Sequence, residues 1–461
     1  MSDKEKLKQV QDDFGNYYQL TGELKRGGQG VVYRTSNPNI LVKVDLTGDE
    51  KLKNRYMELR LLPLDKDLRI TLPVVPLAGS QIGYVMQLLE DMEGFGDAFS
   101  GHTDEEIQSI MTPWLKDTYE SNSDIGHFFG VLMMNGGCRR LYRAYFEAAR
   151  ILSALHASGL VYCDFSPNNA FVSTDLAHTN VWLIDADNVN FQEEASKCYL
   201  MTPDYGAPEV QAAVKGASFS SDVFAFASSL FQQGLRQHPF EGDDYESALE
   251  DEDVEDVDKR RNVGEFPYVL DEDEDSNFDE SIAQRIDLVF PENLMELFQQ
   301  TFGPGRLNRT KRPLMAEWAS GLAYALDATI HCSECGMDYN WTGENKCRYC
   351  DHENQVIHII STTENGNKLW EFAHEINKNE EILIPMRIVR GFFAKDESEY
   401  VFIVKLDNTQ QLQIESITNK ITCYIEELGE VRRFQVLSGQ AIQVVNKKPY
   451  IKTNISFEIK G

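Results

Sequence analysis

Three residues near the middle of the chain have the chemistry of a phosphate-transfer site. Asp164 precedes Asn169 by five positions, and Asp185 follows soon after, at the end of an apolar run. Phosphoryl transfer needs a carboxylate to accept the proton of the attacking hydroxyl, and an Asn and a second Asp to hold Mg²⁺ against the nucleotide phosphates. A capped turn is the structural alternative for this stretch, because Asp, Ser, Pro and Asn all favour turns. The spacing predicts Asp164 as the base and Asn169 and Asp185 as Mg²⁺ ligands.

Segments 162–169 and 183–187 resemble the catalytic loop and the metal-binding loop of eukaryotic-type protein kinases. The resemblance covers residues 17–325, because further motifs follow in the family's order. Thr-Pro-Asp-Tyr-Gly-Ala-Pro-Glu at 202–209 is similar to the end of a Ser/Thr-kinase activation segment. The resemblance therefore implies a protein kinase rather than a small-molecule kinase, since the latter usually lacks that segment.

The same resemblance implies a nucleotide site in the first ninety residues. The residues that it assigns to ATP are Gly27, Gly28, Gly30, Val32, Lys43, Gln87 and Leu89. Glycines let backbone N–H groups approach phosphate oxygens without obstruction by a Cβ atom. Lys43 matches the strand lysine that grips the α- and β-phosphates, and Glu58 matches its ion-pair partner, with Glu50 as the rival candidate. In the family, Gly27, Gly28 and Gly30 would belong to a glycine-rich loop over ATP, and Lys25 occupies the position where the first glycine of that loop is usual.

The family resemblance also implies two structural contacts, and three positions of the chain differ from the family pattern. The resemblance implies a buried ion pair between Glu209 and Arg312. It also implies that Asp222 holds the catalytic-loop backbone. The departures are Tyr162-Cys163 for His-Arg, Ser166 for Lys and Asp187 for Gly. None of the three removes a core catalytic group.

This pattern resembles the divergent bacterial branch of eukaryotic-like Ser/Thr kinases. It is similar in layout to the kinases of tellurium-resistance (TerY-P-like) stress systems. That similarity implies a protein substrate, and a metal-dependent phosphatase and a von Willebrand A protein as partners.

Four of the eight cysteines form a second candidate site. Cys332, Cys335, Cys347 and Cys350 follow the pattern CxxC-x11-CxxC. Two such knuckles supply four thiolates for a tetrahedral ion, and Zn²⁺ is the usual metal of an S₄ site. His331 and His352 flank the motif, and either could replace a thiolate ligand. Four unbound cysteines are the alternative, but they would leave the polar segment 329–353 without a core.

Composition limits the partners of the chain. Its 461 residues include 44 Lys and Arg and 74 Asp and Glu, which gives a net charge of −30. We expect nucleic acid and anionic membranes to repel it. No N-terminal signal peptide and no apolar run of about 20 residues is visible, so we expect a soluble, cytoplasmic protein. Segment 241–280 carries 19 acidic and 3 basic residues, which indicates a solvated loop or insertion or, alternatively, a docking surface for a basic partner.

Hydrophobic periodicity predicts the elements that must position these residues. β-Favouring runs with one helix at 51–62 predict a kinase N-lobe over 13–90. Helical patterns, clearest at 141–156 and 222–235, predict a C-lobe over 91–328. A zinc ribbon over 329–353 follows. Alternating short runs then predict an all-β, sandwich-like domain over 354–461, with a forkhead-associated (FHA)-like fold or a generic β interaction domain as the alternatives.

The predicted fold class is therefore a multidomain α+β chain with a bilobal protein-kinase fold, a zinc ribbon and a β domain. The predicted function is transfer of the ATP γ-phosphate to protein Ser or Thr hydroxyls, with Mg²⁺ and a structural Zn²⁺. Asp164, Lys43 and Glu58 are the predicted catalytic residues. The alternative is a pseudokinase scaffold that binds nucleotide without turnover.

Overall fold

The chain has a mixed α/β architecture with several sheets. The computed structural model describes residues 8–461 apart from 28–29, 63, 66, 177–178, 378–379, 393–398, 408, 410 and 426–428. Contacts divide the chain into two compact units. Unit 1 combines Met1–Ala98 with Ala154–Ser229, and unit 2 combines Phe99–Ser153 with Leu230–Gly461.

The strands are numbered along the chain, and every strand pair among the described residues is antiparallel. The strands of unit 1 are β1 (Gln9–Gln11), β2 (Tyr17–Arg26), β3 (Gly30–Thr35), β4 (Ile40–Asp45), β5 (Val75–Pro76), β6 (Gly83–Gln87), β7 (Met92–Gly94), β8 (Leu160–Val161), β9 (Ala170–Ser173), β10 (Val181–Leu183) and β11 (Asn190–Phe191). Those of unit 2 are β12 (Thr329–His331), β13 (Asp338–Asn340), β14 (Val356–Thr363), β15 (Lys368–Glu375), β16 (Ile382–Pro385), β17 (Tyr400–Leu406), β18 (Leu412–Ser416), β19 (Ile421–Ile425), β20 (Gly429–Val431), β21 (Arg433–Val436), β22 (Gln440–Lys447) and β23 (Tyr450–Lys460).

The helices are numbered in the same way. They are α1 (Lys51–Leu59), α2 (Phe95–Ala98), α3 (Asp104–Ile107), α4 (Pro113–Ser121), α5 (Ser123–Met134), α6 (Gly137–Ala157), α7 (Gln192–Ala195), α8 (Pro208–Gln211), α9 (Phe219–Leu235), α10 (Asp243–Asp251), α11 (Val254–Asn262), α12 (Glu280–Ala283), α13 (Ile286–Val289), α14 (Glu292–Phe302), α15 (Pro304–Leu307), α16 (Met315–Asp327) and α17 (Arg387–Arg390). Short 3₁₀ turns lie at Gln108–Ile110, Ala186–Asn188 and Arg309–Lys311.

A six-stranded sheet in the order β1-β2-β3-β4-β6-β5 forms the first part of unit 1. β-Branched residues such as Val42, Val44 and Val85 are buried in its core, as expected for side chains that pack well on a pleated surface. The β-favouring runs expected in the first ninety residues are confirmed by β3, β4 and β6, and the helix expected over 51–62 begins at Lys51 and ends at Leu59.

Two small sheets of unit 1 carry the loops of the candidate site. β10, β9 and β7 form one sheet, and β11 and β8 form the other. The loop 162–169 joins β8 to β9, and Asp185 follows β10. Because β9 and β10 are antiparallel neighbours, with Leu183 opposite Ala170, the end of the first loop lies beside the start of the second.

Helices and aromatic side chains build the interior of unit 2. Phe298 lies between Phe231 and Trp318, at ring-centroid distances of 5.3 and 5.0 Å. Such edge-to-face contacts add to the stabilisation that burial alone provides. The helices predicted over 141–156 and 222–235 are confirmed, because they lie inside α6 and α9.

The acidic segment 241–280 is more ordered than the predicted solvated loop. It contains α10 and α11, which bury Tyr245 and Val257. Arg261 is buried and pairs with Glu241. Most of the acidic side chains of this segment are exposed, so the negative charge lies on the surface of folded helices.

The C-terminal residues form two antiparallel sheets. One has the order β15-β14-β23-β22-β19-β20 and the other β16-β17-β18-β21. In β18 every second residue is buried, which is the pattern of a strand with one face against a core. The predicted strand-rich tail is confirmed, with the short helix α17 as an addition that the alternation did not predict.

Candidate active site and cysteine cluster

The backbone of the loop 162–169 is held by a buried carboxylate. Asp222, at the start of α9, is 1% exposed and accepts hydrogen bonds from the backbone N–H groups of Tyr162 at 2.8 Å and Cys163 at 2.9 Å. His156 Nε2 lies 3.0 Å from the same carboxylate. Cys163 has a left-handed φ of 73°, a strained conformation for a non-glycine residue. The two charge-assisted hydrogen bonds fix this conformation in front of Asp164.

Asp164 has defined partners on both carboxylate oxygens. The Thr202 hydroxyl donates to Oδ1 at 2.7 Å, and Asn169 Nδ2 donates to Oδ2 at 3.3 Å and to the Asp164 carbonyl at 2.9 Å. Burial raises the pKa of Asp164 above its ordinary value, whereas the Thr202 hydrogen bond lowers it and the charge of Asp185 raises it. A carboxylate with a raised pKa is a stronger base, which suits proton abstraction from a hydroxyl.

Two hydrogen bonds join this loop to the one that carries Asp185. The Tyr162 hydroxyl donates to the Ile184 carbonyl, and Ile184 N donates to the Asn169 carbonyl at 2.9 Å. Asp185 itself is left-handed, with φ of 58°, and precedes the 3₁₀ turn Ala186–Asn188. The structure thus brings the predicted base and both predicted metal ligands into one cluster.

Lys43 completes the cluster through two carboxylates of the second loop. Its ammonium contacts Asp185 and lies 2.6 Å from Asp187 Oδ2. Burial opposes the charged ammonium, but Asp187 and Asp185 outweigh burial and raise the pKa of Lys43. Burial also raises the pKa of Asp187, with Lys43 acting in the opposite direction. Lys43 therefore stays charged at the site.

The predicted ion pair between Lys43 and Glu58 is not formed. Among the described residues, Lys43 pairs with Asp185 and Asp187, and the side chain of Glu58 is 67% exposed, 3.7 Å from Arg55. Helix α1 buries Tyr56 and Leu59 instead, and this packing turns Glu58 outward. The rival candidate, Glu50, is also exposed.

The predicted glycine-rich loop is partly described. Gly28 lies outside the described residues, and Gly27 N donates to the Gly30 carbonyl at 2.9 Å. A Cβ atom on Gly30 would lie 2.9 Å from the Val44 carbonyl and 3.6 Å from Lys43 Cε, so a side chain there would disturb the strand that carries Lys43. Val32 lies opposite Lys43 in the β3–β4 register.

Two of the residues that the resemblance assigns to ATP, Gln87 and Leu89, line a cleft. Gln87 and Leu89 border a cavity of about 300 Å³ with Leu88, Met92 and Trp182 among its other lining residues. Lys43 and Asp185 do not line this cavity. The ATP contacts that the resemblance implies for Gln87 and Leu89 stay a prediction.

The oxygen donors of the cluster suit a hard cation. Asp185 and Asn169 offer carboxylate and amide oxygens, which are the ligands that Mg²⁺ prefers. Asp187 Oδ1 is buried and has no hydrogen-bond partner. A buried oxygen of this kind is costly unless water or an ion satisfies it. The residues present therefore fit a divalent cation beside Lys43.

The four predicted zinc cysteines converge in unit 2. Their Sγ atoms all lie within 4.8 Å of one another, with Cys332 and Cys350 at 3.6 Å and Cys335 and Cys347 at 3.8 Å. A Zn–S bond of about 2.3 Å places the sulfurs of a tetrahedral site about 3.8 Å apart. The hydrogen bond between Cys335 and Cys347 lowers the pKa of the Cys347 thiol and raises the pKa of the Cys335 thiol, so Cys347 is the first of the two to ionise. The cluster fits a zinc ribbon.

The two flanking histidines have other partners. His331 Nδ1 lies 2.9 Å from Asp338 Oδ1, and His352 Nε2 lies 3.3 Å from the Ser333 hydroxyl. The candidate metal cluster among the described residues contains the four cysteines alone. Sequence reasoning left the histidines open as ligands, and the structure favours the all-thiolate set.

Aromatic contacts attach the ribbon to the helices of unit 2. Trp114 Nε1 donates to the Tyr349 carbonyl at 2.8 Å, and the Tyr349 ring lies 5.3 Å from that of Phe129. Arg348 pairs with Asp287 at 2.8 Å. The second knuckle thus lies on α4, α5 and α13 as part of a shared core.

Comparison with known proteins gives partial similarity to protein kinases. The chain is 33% identical over 138 residues to the delta type of protein kinase C from Rattus norvegicus and from Homo sapiens, an alignment that covers 27% of this chain and 20% of each relative. It is 31% identical over 127 residues to the protein kinase C-like 1 of Candida albicans, covering 24% of this chain and 11% of that relative.

The chain therefore spans about a fifth or less of the length of the curated relatives that it matches. No protein-family model matches the chain. The similarity supports a kinase-like region over part of the chain. None of the described helices combines the length and the apolar composition needed to cross a bilayer.

Proposed function

We propose that the chain is an ATP- and Mg²⁺-dependent protein serine/threonine kinase. The observation that carries the proposal is the single cluster of Asp164, Asn169, Asp185 and Lys43, joined by hydrogen bonds and ion pairs within unit 1. The partial similarity to protein kinase C supports it. The bilobal kinase fold, with a zinc ribbon and a β interaction domain after it, is part of the same proposal.

Each residue of the cluster has one role in this reaction. Asp164 accepts the proton of the substrate hydroxyl, and Thr202 and Asn169 orient its carboxylate. Asn169 and Asp185 would hold Mg²⁺, which when bound neutralises charge on the transferring phosphate. Lys43 binds phosphate oxygens. Because positioning and electrostatics supply most of the catalysis of this reaction, the fixed geometry of the loops is the main contribution of the protein.

Phosphotransfer from radiolabelled ATP, with and without Mg²⁺, tests the proposal. Asp164→Asn should lower kcat by about 10²–10⁴-fold and leave nucleotide affinity nearly unchanged, since the amide keeps the shape but loses the base. Asp185→Asn should abolish transfer and weaken Mg²⁺-dependent nucleotide binding. Asp13→Asn, at an exposed position of unit 1, is the matched control and should behave as wild type.

The second candidate is a pseudokinase scaffold that binds nucleotide without turnover. The departure at Asp187 and the outward Glu58 favour it, whereas the intact Asp164, Asn169 and Asp185 set opposes it. Nucleotide binding by wild type, with no transfer to itself or to any protein substrate under Mg²⁺ or Mn²⁺, would replace the kinase proposal with the scaffold. For either function we propose as partners a metal-dependent phosphatase and a von Willebrand A protein, which the similarity in layout to tellurium-resistance (TerY-P-like) kinases implies.

A further inference from the structure

We propose that Asp187 positions Lys43 for the nucleotide phosphates, in place of a glutamate from helix α1. The inference rests on the proposed function and concerns the same site. It starts from the ion pair of 2.6 Å between Lys43 Nζ and Asp187 Oδ2, whose side chains are 12% and 10% exposed. A charge pair so withdrawn from water is stable only when its partners are well placed.

The backbone brings the two residues together without strain at Asp187. Lys43 is in the centre of β4, flanked in register by Val32 of β3 and Tyr84 of β6. Asp187 lies in the 3₁₀ turn Ala186–Asn188 and does not have a positive φ. The turn therefore does not need a glycine at this position, and it directs a carboxylate at the lysine.

Asp185 and Asp187 differ in exposure, and the difference assigns their roles. The Asp185 side chain is 35% exposed, against 10% for Asp187. Asp185, nearer to solvent, is the one that can leave Lys43 for a divalent cation. Lys43 then keeps Asp187 as its partner, so cation binding does not leave a buried ammonium unpaired. One loop thus supplies both the metal ligand and the lysine partner.

Helix α1 supports Lys43 by packing rather than by charge. The Tyr56 ring lies 4.8 Å from the Tyr84 ring, and Lys43 Nζ lies 5.8 Å from the centre of the Tyr84 ring. Glu58 is on the outer side of the helix. Since the lysine partner comes from the metal-binding loop, a swing of α1 would not make or break the pair.

Kinetics and nucleotide binding of single and double variants test this inference. Asp187→Ala should raise the KM for ATP and the Kd of a fluorescent ATP analogue about tenfold or more. Asp187→Glu should recover part of the loss because it retains the charge. Glu58→Ala, the matched control on α1, should stay within about twofold of wild type, as expected for an exposed ion pair.

A double-mutant cycle separates positioning from a general structural role. If Asp187 acts through Lys43, adding Asp187→Ala to Lys43→Met should cause little further loss of nucleotide affinity. Three outcomes would overturn the inference about Asp187: additive losses of nucleotide affinity, an unchanged Asp187→Ala variant, or a larger loss from Glu58→Ala. If the wild type transfers phosphate in the same experiments, the kinase proposal stands. Coupled losses of nucleotide binding in a chain that transfers no phosphate would overturn the kinase proposal alone. A wild type that binds no nucleotide would overturn both.

Discussion

Two non-glycine residues of the candidate active site have left-handed backbone, and each precedes or provides a key carboxylate. Cys163 has φ of 73° and Asp185 has φ of 58°. Such conformations cost on the order of 1–3 kcal/mol each and persist where the surroundings over-determine them. At Cys163 the surroundings are the two hydrogen bonds to Asp222. The strain is therefore offset locally, at the place where the base must be held.

Thr202 should lower the pKa of Asp164, the proposed base. The variant Thr202→Val removes the hydroxyl whose hydrogen bond lowers the pKa of Asp164. The pKa of the carboxyl should then rise further. Because the base works only when ionised, the rate falls as pH drops through this pKa, and the variant should lose activity at higher pH than wild type. The measurement is kcat as a function of pH.

Thr174→Val, at an exposed position, controls for the loss of a hydroxyl and should keep the wild-type profile. An acid limb of Thr202→Val that coincides with wild type would show that Thr202 does not act on the base.

Residue types and spacing predicted most of the site, because the chemistry needs given groups at given intervals. Asp164, Asn169 and Asp185 were proposed in this way, and Lys43 was implied by the resemblance to protein kinases; the structure places the four in one cluster. The prediction that Glu58 pairs with Lys43 was wrong. The rotation of α1 depends on which of its faces packs against the sheet, and sequence alone did not show that Tyr56 would face inward. The signal for Asp187 was present as a carboxylate two positions after Asp185.

At the scale of elements, backbone hydrogen bonds order the segment 195–217, part of which resembles the end of a Ser/Thr-kinase activation segment. Cys198 N donates to the Ala195 carbonyl at 2.8 Å, and its carbonyl accepts from Ala217 N at 2.8 Å. The Thr202 carbonyl accepts from Gly206 N at 3.1 Å. These backbone hydrogen bonds lie within the segment itself, and position 163, where an arginine would pair with a phosphate on the segment, is a cysteine.

Loss of phosphorylatable side chains from this segment should therefore change activity little. Ser196→Ala and Tyr199→Phe should each keep kcat within about twofold of wild type. A phosphate there would lack an arginine at position 163 and would be repelled by Glu193 and Glu194. The measurement is activity toward an added protein substrate. A tenfold fall in both the variant and phosphatase-treated wild type would mean that phosphorylation does activate the segment.

The zinc ribbon should hold one Zn²⁺ per chain. Structural sites of this kind bind zinc with about 10–16 kcal/mol at neutral pH, so chelation should unfold the knuckles. Because Tyr349 packs on Trp114 and Phe129, removal of zinc should also change tryptophan fluorescence from α4.

Elemental analysis gives the zinc content. Cys347→Ser should lose the ion, and His352→Gln should keep it. Zinc retained by the cysteine variant, or lost from the histidine variant, would contradict the four-thiolate site.

Hydrophobic periodicity predicted the helices and strands with strong apolar patterns, but it did not predict the backbone conformation of the segment in which charged residues dominate. β3, β4, α6 and α9 were found because their apolar residues repeat at strand or helix spacing. In the segment 241–280, acidic composition indicated a solvated loop or insertion, or a docking surface for a basic partner, and the segment folds into α10 and α11 by burying Tyr245 and Val257. An acidic composition indicates that the charged side chains are exposed, but it does not indicate the conformation of the backbone that carries them.

At the scale of the whole molecule, the C-terminal sheets belong to the same compact unit as the helices that precede them in unit 2. Arg139 of α6 lies 2.5 Å from Glu375 of β15. Asp327 at the end of α16 accepts from Trp370 Nε1 at 2.8 Å and pairs with Arg387 of α17. Alternating short runs predict an all-β domain over 354–461, and its boundary stays a prediction. These ion pairs join residues distant in the chain, so no local pattern could reveal them.

The Asp327–Arg387 pair should be a main support of unit 2. Its side chains are 4% and 6% exposed, and removal of one partner leaves a buried charge. Asp327→Asn should therefore reduce the free energy of unfolding by about 3–5 kcal/mol, measured by urea denaturation with tryptophan fluorescence. Asp351→Asn removes an exposed pair with Lys346 and should cost at most about 1 kcal/mol. Equal, small losses in both variants would show that the C-terminal sheets are held to α16 by apolar packing instead.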